Sequence, residues 1–165
     1  MATSRRTPLV SVAVASLLCA GVAAAGPARP GIALDHRIGP AKVGEPRARI
    51  EKDSGPAVAV RLDGKTLSFY PRVGIYVSYA PGPLTRLNQV AFSITTRSAR
   101  YETRSGIGVG SPVRQLRRRI RVKCYPGNLI VCQRERANNN LPFTVFDVDH
   151  RTKRVIAVAI VPGGN

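Results

Sequence analysis

Apolar and polar residues alternate with period two over long stretches of this chain. Val58, Val60 and Leu62 alternate with Ala59 and Arg61, Asp63-Gly64 has the composition of a hairpin turn, and Leu67 to Tyr70 reads as the return strand. Val73, Ile75, Val77 and Tyr79 alternate again, up to Ala80-Pro81-Gly82-Pro83, where missing proline N–H groups end any ladder. Val90, Phe92 and Ile94 define one face of a further strand that ends near Thr96. Short strands separated by turns predict an antiparallel meander with one buried and one wet face. The same pattern returns late in the chain. Leu129 to Cys132 reads as a strand, residues 137–141 as a loop, and Phe143 and Val145 oppose Thr144, Phe146 and Val148 across two faces. Val155 to Val161 is apolar at every position, which predicts a central strand covered on both sides, reached through a turn at Asp149-His150-Arg151-Thr152.

Two stretches break this period. Ser111 suits an N-cap, Pro112 the first helical position, and Val113, Leu116 and Ile120 fall at i, i+3 and i+7. One side of that helix packs on a sheet, and the other presents Arg114, Arg117, Arg118, Arg119 and Arg121. Earlier, Pro46 opens a shorter helix, Arg47 to Lys52, stopped by Ser54-Gly55-Pro56. Gly44-Glu45-Pro46 aligns with Gly110-Ser111-Pro112, and Ile50 with Leu116, at a constant offset of 66. The expected fold is therefore α+β: short helices packed on antiparallel β-meanders, with a candidate tandem duplication of a helix-plus-sheet unit. Its candidate halves are 31–100 and 101–165 of a single domain, 31–165.

Residues 1–25 read as a signal peptide, with Arg5 and Arg6 before an apolar run from Leu9 to Ala20 and a small-residue cleavage pattern at Ala23-Ala24-Ala25. That run is too short for a membrane span of roughly 20 residues. Cys19 lacks the small preceding residue that lipid attachment requires, so it is read as lost with the leader. Residues 26–30 form a short disordered lead. An exported chain then keeps two cysteines, Cys124 and Cys132, and an oxidising compartment favours their disulfide. A two-residue hairpin at Tyr125-Pro126-Gly127-Asn128 would set Cys124 opposite Leu129, so the bond requires a wider loop.

Charge changes the picture most. The chain has 26 Lys and Arg against 9 Asp and Glu, and most of the cations are arginine. A surface of this kind attracts polyanions in a salt-dependent manner. An arginine-rich genome composition gives the same count on a merely solvated surface. Arg114, Arg117, Arg118, Arg119 and Arg121 are the candidate binding residues, because guanidinium forks pair bidentately with phosphate and carboxylate. Tyr101 and Tyr125 bracket them and could stack on a ligand, and Tyr70, Tyr76 and Tyr79 could lie on a sheet surface or cover it.

Catalytic patterns are missing from the sequence. Gly106-Ile107-Gly108-Val109-Gly110-Ser111 matches neither dinucleotide nor P-loop spacing and reads as a tight turn before a helix. Asp147, Asp149 and His150 are too few for an oxygen-ligated cation, and charge pairing with Arg151, Lys153 and Arg154 at a hairpin tip accounts for them better. His36 beside Asp35 shows no partner, and no nucleophile elbow surrounds Ser68, Ser78 or Ser93. The expectation is a non-enzyme with no cofactor and no metal.

Ile38-Gly39-Pro40, Val43-Gly44, the run Val90 to Thr96, and the run Tyr101 to Ser111 together resemble uncharacterised exported proteins of high-GC actinobacteria. More distantly, the duplicated helix-plus-meander resembles the fold of β-lactamase inhibitory proteins and small outer-membrane assembly lipoproteins. That resemblance implies architecture and export, and it carries no inhibitor contact residue onto this chain. The functional expectation is a secreted or cell-envelope domain that binds an anionic polymer or membrane surface through its basic helix. The alternative is a module that binds a secreted protein through an exposed sheet face. Specific nucleic-acid recognition is not expected.

Overall fold

The computed structural model describes residues 31–62, 64–80, 89–135 and 140–163. The expected leader and lead, and most of the turns at 80–83 and 137–141, lie outside the described residues.

Eight strands form one antiparallel sheet. They are β4 (Val58–Leu62), β5 (Lys65–Tyr70), β6 (Ile75–Tyr79), β7 (Ala91–Thr96), β9 (Val122–Tyr125), β10 (Ile130–Arg134), β11 (Phe143–Val148) and β12 (Val155–Val161). Their order is β4-β5-β6-β7-β12-β11-β10-β9. Helices α1 (Arg47–Ser54) and α2 (Val113–Arg119) precede the two meanders. A small sheet, β3-β2-β1-β8, is built from β1 (Gly31–Ala33), β2 (Arg37–Ile38), β3 (Ala41–Lys42) and β8 (Glu102–Thr103). The fold is α+β and dominated by sheet.

Period two decides which residues enter the core. Tyr70, Ile75, Val77, Ile94, Phe146, Val148, Val158 and Ile160 point inward, where they meet Ile50 and Leu116 from the helices and Ile32, Ile38 and Ile107 from the first segments of each half. All of these are under 5 % exposed. Gly39-Pro40 does not end regular structure as its composition suggests; it turns β2 into β3, whose Ile38 and Ala41 pair across the hairpin.

Backbone contacts recur at the offset seen in the sequence. Gly44 and Gly110 both have left-handed φ, 81° and 92°, open to glycine without strain. Their N–H groups donate to Ala91 and Val155, and Ala91 and Val155 donate back to Glu45 and Ser111. Arg47 N–H donates to Gln89, and Val113 N–H donates to Lys153. Side chains repeat the arrangement: Glu45 accepts from Lys42 N–H, and Ser111 accepts from Gly108 N–H. The two central strands, β7 and β12, then meet antiparallel with Thr95 opposite Ala159, Thr96 opposite Val158 and Ile94 opposite Ile160. Residues 64 apart thus exchange places across the seam, as in an isologous two-fold interface within one chain.

Three strand expectations are corrected by one device. Between Ser78 and Tyr79 the β6–β7 register shifts, so Phe92 is an extra residue with no partner and lies 47 % exposed, while Ala91 turns inward. The β11–β12 register shifts in the same way and turns out Ile156, 64 residues later. A bulge reverses the alternation on its strand. Val90 and Phe92 therefore do not share the buried face of Ile94. β12 is central as expected, but it is not covered on both sides: Ile156 is exposed, and Ala159 and Val161 are half-buried.

Candidate functional site

The glycine-rich run ahead of α2 is a close-packed turn. A Cβ on Gly108 would lie 2.2 Å from the Tyr101 carbonyl oxygen, so only glycine fits there. Ser111 caps this turn and not the helix, since its hydroxyl accepts from Gly108 N–H at 3.1 Å. Pro112 is extended (ψ 141°) and occupies the cap position, because its backbone bridges to Arg154. Its counterpart Pro46 is also extended, and bridges to Val90. Both prolines thus precede their helices by one residue and neither is the first helical residue.

α2 ends at Arg119. Ile120 has left the helix (φ −132°, ψ 130°) to stay buried, which puts Arg121 in the exposed link to β9. The expected five-arginine face is therefore divided. Arg114, Arg118 and Arg119 line an open groove of about 540 Å³ with Pro112 and Gln115. Arg117 is exposed outside that lining, and Arg121 is off the helix. Arg119 is held in place by its guanidinium donating to the Ser105 carbonyl at 2.7 Å, against Gly106.

Residues 103–134 contain eight Lys and Arg and no Asp or Glu. Among the described residues none of the five arginines forms an ion pair. α1 differs: Arg47 pairs with Glu51 at 2.7 Å and Arg49 with Asp53 at 3.5 Å. Glu51 and Asp53 stand 66 residues before Arg117 and Arg119.

The β11–β12 turn also differs from its expected reading. Asp149 accepts from the N–H and hydroxyl of Thr152, both at 2.7 Å, and these bonds hold its carboxyl below the usual range. It makes no ion pair with Arg151, Lys153 or Arg154. The turn lies against the start of α2, with Arg154 donating to the Gly110 carbonyl at 2.7 Å. Forty residues of sequence separate these partners, so only the fold brings the turn's cations to the helix.

Other candidates disperse. His36 and His150 lie on separate exposed turns. Among the described residues no three of His, Cys, Asp and Glu gather. Tyr101 is buried, its hydroxyl donating to the Val73 carbonyl at 2.6 Å, so it cannot stack on a ligand beside α2. Tyr70 is buried and shares a short hydroxyl–hydroxyl bond with Tyr79, on the inward side of β6. Burial raises the phenol pKa of both. Cys124 and Cys132 are bonded and stand directly opposite on β9 and β10, closed by the wider loop that the pairing requires.

A second surface is the outer face of the large sheet. One row runs across all eight strands: Val58, Phe69, Tyr76, Thr95, Ala159, Val145, Gln133 and Lys123, each opposite the next. Phe69 and Tyr76 stack at 4.6 Å. None of these residues is buried. Asp147 lies on the same face, where partial burial raises its pKa and Arg97 opposes the shift. Of the tyrosines considered for a sheet surface, only Tyr76 is on it; Tyr125 joins this face on β9, beneath the Lys123 ammonium.

Comparison with protein families, curated proteins and solved structures finds no match to this chain.

Proposed function

We propose that this protein is an exported, non-catalytic binding domain whose second helix meets anionic polymers or surfaces. The supporting observation is internal. One backbone arrangement occurs twice, and in the first copy the helix carries Glu51 and Asp53 in ion pairs. The architecture therefore does not require arginine at Arg117 and Arg119, and the unpaired cations of α2 are free to act on a ligand. We read the two halves as tandem copies of one helix-plus-meander unit that have diverged in charge. Export rests on the leader-like first 25 residues and agrees with the disulfide; no helix among the described residues is long and apolar enough to cross a membrane.

The test is binding of an anionic polymer across a salt series, with Arg114, Arg117 and Arg118 changed together to Gln and Arg119 left to hold its loop. Affinity of the parent protein should fall steeply with salt, and the variant should show a flatter slope. Identical slopes would remove the helix from the account.

A second reading, docking of a secreted protein, has one observation in its favour: the uncovered row from Val58 to Lys123. Eight strands at about 4.8 Å spacing make a face roughly 34 Å wide. Tyr76→Arg should abolish such a complex and leave polymer binding intact.

A further inference from the structure

We propose that the ligand of this site is a linear phosphate polymer that runs from the α2 groove onto the β11–β12 turn. Arg114 and Arg118 hold it at one end and Arg151 and Lys153 at the other. The inference rests on the anionic-ligand reading above and names its ligand and its missing half.

Continuity comes from the backbone. Pro112 lines the groove and bridges to Arg154, and Val113 N–H donates to the Lys153 carbonyl at 2.9 Å. On either side, Gly110 N–H donates to Val155 and Val155 N–H to Ser111, so helix start and turn are clamped together. Two guanidiniums between them are already oriented. Arg119 and Arg154 each donate one nitrogen to a carbonyl of the glycine turn, at Ser105 and Gly110, which leaves further donors of each five-donor fork for a ligand. The turn's one carboxylate, Asp149, is engaged by Thr152. Arg151, Lys153 and Arg154 are all exposed.

The first half again serves as the comparison. Its residues 64 positions before Lys153 and Arg154 are Gln89 and Val90, which make the equivalent backbone contacts without charge. Both parts of the cationic strip are thus confined to the second half. Arg114 and Arg118 are about 6 Å apart along the helix axis, and the turn lies about one strand spacing to the side. A single phosphate can reach one part of this strip; a chain of phosphates can occupy both.

The experiment measures binding of the purified protein to long-chain inorganic polyphosphate and to pyrophosphate over a salt series. It compares the parent with R114Q/R118Q and with R151Q/K153N. Asn is chosen because Lys153 has φ 54°, a region Asn tolerates. For long polyphosphate, each double variant should bind roughly ten-fold more weakly at low salt. Each should also lower the slope of log affinity against log salt by about 1.4, near 0.7 per lost phosphate contact. Pyrophosphate binding should fall in R114Q/R118Q and stay unchanged in R151Q/K153N. If R151Q/K153N binds long polyphosphate like the parent while R114Q/R118Q does not, the extension is wrong and the helix reading survives. Binding to vesicles of anionic phospholipid with none to polyphosphate overturns the polymer assignment. No binding of the parent to either probe at low salt removes both readings.

Discussion

Leu116→Ala tests how the basic helix is held. α2 has seven residues, too few to be stable alone in water, and Leu116 is its one fully buried side chain. Truncation removes three carbons, worth ~2.4 kcal/mol at about 0.8 each, and the cavity left behind adds to this. We expect a loss of about 3 kcal/mol, which for a domain of this size lowers the melting temperature by roughly 10–15 °C. Urea unfolding gives the value directly, as a lower midpoint with unchanged slope. Ile50→Ala is the matched experiment in α1, since Ile50 occupies the equivalent place and is equally buried. Its cost should agree within about 1 kcal/mol, as expected for two aliphatic truncations in like surroundings. Val113→Ala, half-buried, should cost less than about 1 kcal/mol. A Leu116→Ala loss as small as that of Val113→Ala would refute the claim that one side chain anchors the helix.

Asp147 has a raised pKa from burial, so the fold disfavours its ionised form; this penalty is absent below the ordinary carboxylate range and grows as pH rises through the folded value. Asp147→Asn should therefore melt higher than the parent at pH 7 and match it near pH 3, by thermal scans at both. The C124S/C132S protein lacks a bond between residues eight apart in sequence. It should lose about 2–3 kcal/mol in denaturant, the chain-entropy cost of so short a loop, without losing its fold. Ser54 has a buried hydroxyl with no hydrogen-bond partner, and Ser54→Ala should raise stability by about 1 kcal/mol in the same assay.

Strand existence was legible because the alternation is local: Val58 to Leu62, Ile75 to Tyr79 and Phe143 to Val148 each reveal their faces within five or six residues. Faces were misread where a bulge inserts one residue, since nothing around Phe92 or Ile156 distinguishes a bulged strand from a regular one. The helix boundaries were misplaced by the prolines. Pro112 suits a first helical position in isolation, and only its bridge to Arg154, 42 residues away, shows that it is still extended. The arginines of the site were visible as a run, but their division was not, because it depends on Ile120 leaving the helix to stay buried. Arg151 and Lys153 gave no local sign of belonging to the site, and neighbouring Asp149 pointed to charge pairing that Thr152 pre-empts. The offset of 66 was visible from Gly44, Pro46 and Ile50 alone. Its agreement with the backbone bonds at both helix starts makes it the most informative feature of the chain.

The central claim is that the location of charge, and not its total, defines the binding surface. Two variants with equal loss of charge separate these directly: R114Q/R117Q/R118Q in the second half, and K52Q/R61Q/K65Q on exposed positions of the first. Binding to long-chain polyphosphate at fixed low salt should weaken at least ten-fold in the first variant and less than two-fold in the second. Equal weakening in both would mean that the positive charge is a general property of the surface, and it would contradict the account.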